Sequence, residues 1–180
     1  MNSARILGAV LAGGQSRRFG SDKALALLDG QTLLDHALAR LEAWCSAVVV
    51  AGREVPGRRC VADWPCAGMG PLGGIAAVLR LAEAEGYAAV LTIGVDSLGL
   101  PDNLPQHLAP GPAYLADQPV VGLWPVSAAE VVAAILAGEG RHSLRALAEA
   151  VSARPVALAT PSANINTPED LARLDGGGVS

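Results

Sequence analysis

Aromatic side chains are scarce in this chain: three tryptophans, two tyrosines and one phenylalanine, 3% of 180 residues. With a hydrophobic fraction of 51%, the core must be built from Ala, Val and Leu. Such small side chains fill space best where helices lie close on a sheet. Cysteine is sparse too. Cys45, Cys60 and Cys66 are odd in number and form no Cys-x-x-Cys, which argues against a disulfide framework and for free thiols in a reducing compartment. Cys45 falls at the end of a helix pattern and reads as core. The three histidines, His36, His107 and His142, are scattered, so no metal-ligand cluster runs through them. There is no basic block and the formal net charge is -4, which excludes a broad nucleic-acid footprint. No apolar run reaches the roughly 20 residues of a membrane-spanning helix. The N-terminus lacks a charged region followed by an apolar run and a cleavage site. The expectation is a cytoplasmic protein without membrane contact. The length suggests one domain, expected over residues 1–175, with 176–180 as a frayed tail.

Glycine is plentiful, and its densest use organises the chain. Residues 6–11 form an apolar run that reads as a buried strand. The run breaks into Ala12-Gly13-Gly14-Gln15-Ser16-Arg17-Arg18-Phe19-Gly20-Ser21-Asp22-Lys23. Glycines let backbone N–H groups close on an anion, and the cations Arg17, Arg18 and Lys23 would neutralise its charge. The natural ligand of such a loop is a polyphosphate. No Gly-Lys-Ser or Gly-Lys-Thr follows, and the glycine spacing is wrong for a dinucleotide fingerprint. A Gly-Gly turn with basic neighbours also occurs without a ligand, and on composition alone both readings stand.

Further along, Asp29-Gly30 is a turn signal. Thr32 can cap a helix carrying Leu33, Leu34, Ala37, Leu38 and Leu41 at helical spacing, with Asp35 in its first turn. His36 falls off the apolar stripe and reads as a boundary residue. Residues 47–51 are a second strand and 59–62 a short one leading to Asp63. A second glycine-rich stretch, 64–74, runs into a helix pattern from about 72 to 84; its glycines could serve a ligand or close packing. Residues 88–93 are the clearest central strand and lead to Asp96. A short helix is expected towards His107, strands at 113–116 and 120–124, helices capped by Ser127 and Ser143, and a strand over 155–159. Thr167, Pro168 and Asp170 make a helix start. Strands alternating with helices imply a mainly parallel sheet between helical layers.

An acid just past a central parallel strand lies at the carboxyl edge of the sheet, where ligands bind in open α/β folds. Asp96 is therefore the candidate to hold Mg2+, which takes one or two carboxylates together with phosphate oxygens and water. An ordinary solvated loop aspartate is the alternative there. Asp63 follows another strand by the same logic. No Ser/His/Asp or Cys/His set suggests nucleophilic catalysis.

The string from Leu11 to Lys23 resembles the nucleotidyltransferase signature Leu-Ala-Gly-Gly-x-Ser-x-Arg-Met/Phe-Gly-x-Asp-Lys, and is most similar to that of the molybdenum cofactor guanylyltransferases. Gly70-Pro71-Leu72-Gly73-Gly74 and Asn164-Ile165-Asn166-Thr167-Pro168-Glu169-Asp170-Leu171 are similar to two further segments of that family. The resemblance implies a three-layer Rossmann-like α/β fold with helices on both faces of a mainly parallel sheet. It implies GTP bound at Leu11, Ala12, Gly13, Gly14, Lys23, Asp63 and Asp96, with Mg2+ on Asp96. It implies charge stabilisation by Arg17 and Lys23, and a second substrate, molybdopterin, beside Asn164 and Asn166. Transient contact with molybdenum-insertion or molybdoenzyme-maturation proteins would follow.

Three positions depart from the family pattern: Ala51 where Asn is common, Asp96-Ser97-Leu98 for Asp-Thr-Pro, and Gln118-Pro119 for His-Pro. A relative using CTP or a sugar-phosphate acceptor, and a non-catalytic nucleotide-binding protein, are the alternative expectations.

Overall fold

The apolar run 6–11 becomes β1 (Ile6–Leu11), the strand on which the sheet is built. The computed structural model describes residues 5–13, 22–159, 163–164 and 170. Gly14, Arg17 and Asn166, the helix start at Thr167 and the tail 176–180 lie outside the described residues.

β1 pairs in parallel with β4 (Ala47–Ala51) on one side and β6 (Ala89–Gly94) on the other. β5 (Cys60–Val61) extends the sheet beyond β4. On the far side come β9 (Gly122–Pro125), β8 (Ala113–Leu115) and β10 (Arg154–Val156), giving the order β10-β8-β9-β6-β1-β4-β5. β9 runs antiparallel to both of its neighbours; the other pairings are parallel. The sheet is thus mainly parallel, as the alternating pattern predicts, with one inverted strand.

Side chains of β1 alternate between two cores, as the twofold period of a strand requires. Leu7, Ala9 and Leu11 face α2 (Gly70–Ala84), α4 (Ala128–Ala137) and α5 (Leu144–Ala150). Val10 faces α1 (Leu33–Trp44) and α3 (Leu104–Leu108). Helices therefore cover both faces. The shortage of aromatics is met by close approach. A Cβ at Gly8 would fall 3.1 Å from the Cβ of Leu41 and the Sγ of Cys45, and one at Gly74 would fall 3.3 Å from Leu11. Gly74 thus serves packing. Cys45 is partly buried and packs against the core on the α1 side, and burial pushes its thiol pKa up to about 12.

Local signals explain most boundaries. The Thr32 hydroxyl accepts from the Asp35 N–H at 3.0 Å and the Ser143 hydroxyl from the Ala146 N–H at 3.2 Å. Ser127 precedes α4 but makes no side-chain cap. The stretch after Lys23 forms a 3-10 turn (Lys23–Leu25) and then a hairpin of β2 (Leu27–Leu28) and β3 (Gln31–Thr32) around Asp29-Gly30. His36 bonds the Leu28 carbonyl of that hairpin at 2.8 Å. The strand expected over 120–124 starts two residues later, because the Val121 N–H turns back to the Gln118 carbonyl. The strand expected over 155–159 runs from Arg154 to Val156. β7 (Ser97–Leu98) pairs antiparallel with β11 (Ala163–Asn164) outside the main sheet.

Candidate functional site

The order β5-β4-β1-β6 reverses direction of growth at β1, and ligands of open α/β sheets bind beyond the strand ends at such a switch point. Chain leaving β1 there continues as Ala12-Gly13, and the Ala12 N–H reaches the Ala51 carbonyl at 3.0 Å. Gly13 then rests on Gly52. A Cβ at Gly52, whose φ is +86°, would stand 2.7 Å from the Cα of Gly13. The Asp63 carboxylate borders the same contact, 3.1 Å from that imagined Cβ. Burial pushes the Asp63 carboxyl above its ordinary pKa, partly countered by a hydrogen bond from the Gly68 backbone.

Beyond β6 the chain turns through Gly94-Val95-Asp96. The Gly94 N–H donates to the Ser97 hydroxyl at 3.1 Å, and the Leu98 N–H donates to the Asp96 carbonyl at 3.0 Å. The Asp96 carboxylate folds back over Gly94, so closely that a Cβ there would fall 2.7 Å from Oδ1. Ser97-Leu98 thus keeps the turn that presents Asp96. Its hydroxyl is used within the protein, and Leu98 supplies an N–H that a proline in its place would lack.

Lys23 and Asp96 are brought together. The Lys23 ammonium donates to Asp96 Oδ2 at 2.7 Å, with the lysine only 9% exposed. Leu11, Ala12, Gly13, Lys23 and Asp96 line one cavity of about 300 Å3. Pro71, Asp96 and Val120 also line a neighbouring cavity of about 550 Å3, whose far wall carries Gln118, Pro119, His142 and Arg145. Asp96 therefore stands where two cavities adjoin. Backbone pairing of Asn164 with Ser97 sets the start of the second similar segment beside that junction. Ala51 is 1% exposed and packs against α2, so this position contributes to the core.

Asp96 is one partly exposed carboxylate, with a quarter of its side chain open. That suits Mg2+ shared with substrate phosphates. Among the described residues, no group of three or more His, Cys, Asp or Glu could hold a metal ion by itself.

One contact escaped sequence reading. Arg53, in the loop after β4, forks onto Asp22, with Nη1 to Oδ1 at 2.8 Å and Nη2 to Oδ2 as the second bond. No local pattern links charges 31 residues apart. Only the position of Arg53 two residues past a strand end could have hinted at it.

Residues 8–163 match the MobA-like NTP transferase domain. The chain is 35% identical to the molybdenum cofactor guanylyltransferase of Acidiphilium cryptum, over 98% of this chain and 97% of that one. It is 36% identical to the enzyme of that name from Rhodobacter capsulatus, over 95% of each. The fold is similar to that of molybdopterin-guanine dinucleotide biosynthesis protein A from Archaeoglobus fulgidus, with a TM-score of 0.75 at 21% identity over 94% and 97% of the two chains. It is also similar to 2-C-methyl-D-erythritol 4-phosphate cytidylyltransferase from Thermus thermophilus, with a TM-score of 0.60 at 18% identity over 93% and 96%. An α/β sheet whose carboxyl edge brings Gly13, a lysine and a strand-exit aspartate into one cleft, together with these likenesses, identifies the chain as a nucleotidyltransferase belonging to the MobA-like NTP transferase family, among the molybdenum cofactor guanylyltransferases.

Proposed function

We propose that this enzyme transfers GMP from GTP to the terminal phosphate of molybdopterin and releases pyrophosphate. The observation that carries the reading is Asp96, paired with Lys23 and shared by two adjoining cavities. A transferase that joins two substrates needs such a junction, and the full-length relatives are named for guanylyl transfer in molybdenum cofactor synthesis.

An oxygen of the acceptor phosphate attacks the α-phosphorus of GTP. The bond to the bridging oxygen breaks, and its electron pair leaves on pyrophosphate. A phosphate is already ionised at neutral pH, so no side chain has to remove a proton. The protein's part is positioning and charge neutralisation. Gly13 and Gly14 give backbone access to the phosphates, Lys23 and Arg17 offset their charge, and Asp63 and Asp96 orient the nucleotide. Asn164 and Asn166 take part in binding the acceptor. Mg2+, when bound at Asp96, supplies further charge withdrawal from the phosphates. A cytoplasmic location, where GTP is at hand, and hand-over of the product to molybdenum-insertion or molybdoenzyme-maturation proteins belong to the same reading. No described helix is long and apolar enough to cross a membrane.

Pyrophosphate release with molybdopterin and Mg2+ is the test, comparing GTP, CTP and UTP. Release is expected with GTP well above the others. Preference for CTP or UTP would move the enzyme to another base. Binding of GTP with no release from any nucleotide would leave a non-catalytic relative.

A further inference from the structure

We propose that Arg53 is a positioning residue for nucleotide binding, gripping Asp22 so that Lys23 is held in front of Asp96. The inference rests on the nucleotide reading of the Lys23–Asp96 cleft.

Contacts run in an unbroken series. Both guanidinium nitrogens of Arg53 engage both carboxylate oxygens of Asp22. Asp22 Oδ1 also accepts the Ala24 N–H at 3.2 Å, and its carbonyl accepts the Leu25 N–H at 3.0 Å. Asp22 is thereby the cap of the short turn Lys23–Leu25. Ala24 anchors that turn in the core, 3% exposed, and Lys23 projects from it to Asp96.

The same loop holds the other flank. Gly13 rests on Gly52, and Asp22 is held by Arg53, so the chain on either side of residues 14–21 is fastened to two consecutive residues after β4. Gly13 and Lys23 are therefore both placed by one short loop.

Stability alone does not account for the pair. Arg53 and Asp22 keep 28% and 41% of their side chains open to water, and ion pairs so exposed stabilise folds little. What a forked pair supplies is direction: two parallel bonds fix the plane of the carboxylate. Here that plane sets the cap, and the cap sets the lysine. The hydrogen bond from Arg53 holds the Asp22 carboxyl below its ordinary pKa, so the pair is charged throughout the neutral range.

Pyrophosphate release and GTP binding would be measured for Arg53→Gln, Asp22→Asn, the double variant, Arg53→Lys and Lys23→Ala, with thermal unfolding of each. Each single variant of the pair is expected to lower kcat/KM for GTP about tenfold or more, by analogy with loss of a residue that orients a site ligand. The double variant should fall no more than about twofold below the worse single one, because the two changes break one interaction. KM for the acceptor and the melting temperature should stay near wild type. Arg53→Lys should restore only part of the loss, since an ammonium cannot fork. Effects that multiply in the double variant would overturn the proposal and place Arg53 on the nucleotide itself. Normal kinetics in both single variants, with Lys23→Ala impaired, would overturn it while keeping the cleft as the GTP site. Normal GTP binding in Lys23→Ala would remove the nucleotide reading, and this inference with it.

Discussion

Lys23 and Asp96, 73 positions apart in the chain, meet at 2.7 Å across the carboxyl edge of the sheet. Each is held by its own turn, one capped by Asp22 and the other by Ser97. The ammonium and the carboxylate offset each other's charge. On the proposed function a triphosphate and its metal would take over both partners, so the ion pair holds two charged groups ready in a partly buried cleft.

Lys23→Ala and Asp96→Ala are each expected to lower pyrophosphate release a hundredfold or more, the effect of removing one preorganised charge worth roughly 3 kcal/mol. Steady-state assays with saturating GTP and acceptor check this. Near-normal turnover in both variants would refute the assignment.

Gly52→Ala is expected to destabilise the protein by about 3 kcal/mol, combining a left-handed backbone with a clash against Gly13. Gly30→Ala is the comparison. Its φ is +78° but nothing lies within 4 Å of the added carbon, so the cost should be about 1 kcal/mol. Urea denaturation of both measures the difference. Equal losses would mean that the close approach of Gly13 to Gly52 is immaterial.

Asp63 carries a pH dependence of defined sign. Burial makes the folded protein hold this proton to higher pH than the unfolded chain does. Stability therefore falls as pH rises from the unfolded value, about 3.9, through the raised folded one, and the penalty is complete above both. Asp63→Asn should raise the melting temperature at neutral pH, and the gain should fade as pH falls below the unfolded value. GTP binding should weaken in the same variant. Melting curves across pH, beside GTP titrations, test the pair of effects. An unchanged or lower melting temperature at neutral pH would contradict them.

Much of this architecture was readable from periodicity. The run at β1, the valines of β4 and the exit of β6 at Asp96 follow from apolar stretches bounded by polar turns. The helix caps at Thr32 and Ser143 were equally plain. Strand direction was not, because an apolar stretch carries no arrow. β9 is inverted, and Thr92 shows what fastens it there: its hydroxyl donates to the Val120 carbonyl at 2.7 Å and accepts from the Trp124 indole at 3.0 Å. The two-residue strands β7 and β11 are too short to show a period, and they exist because they pair with each other. For the site, residue types and order pointed to Lys23, Asp63 and Asp96. The Arg53–Asp22 grip and the use of Ser97 within its own turn depend on contacts that only the folded chain creates.

The central place of β1 also sets a schedule for synthesis. β1 precedes every other described strand and yet is an inner one, with partners made later, at residues 47–51 and 89–94. A nascent chain therefore carries an apolar strand with an open edge until residues 89–94 emerge, the kind of edge that invites wrong pairing. Asp96 gains its flank at β11 only when residues 163–164 emerge. The cleft is thus completed long after Asp96 itself is made.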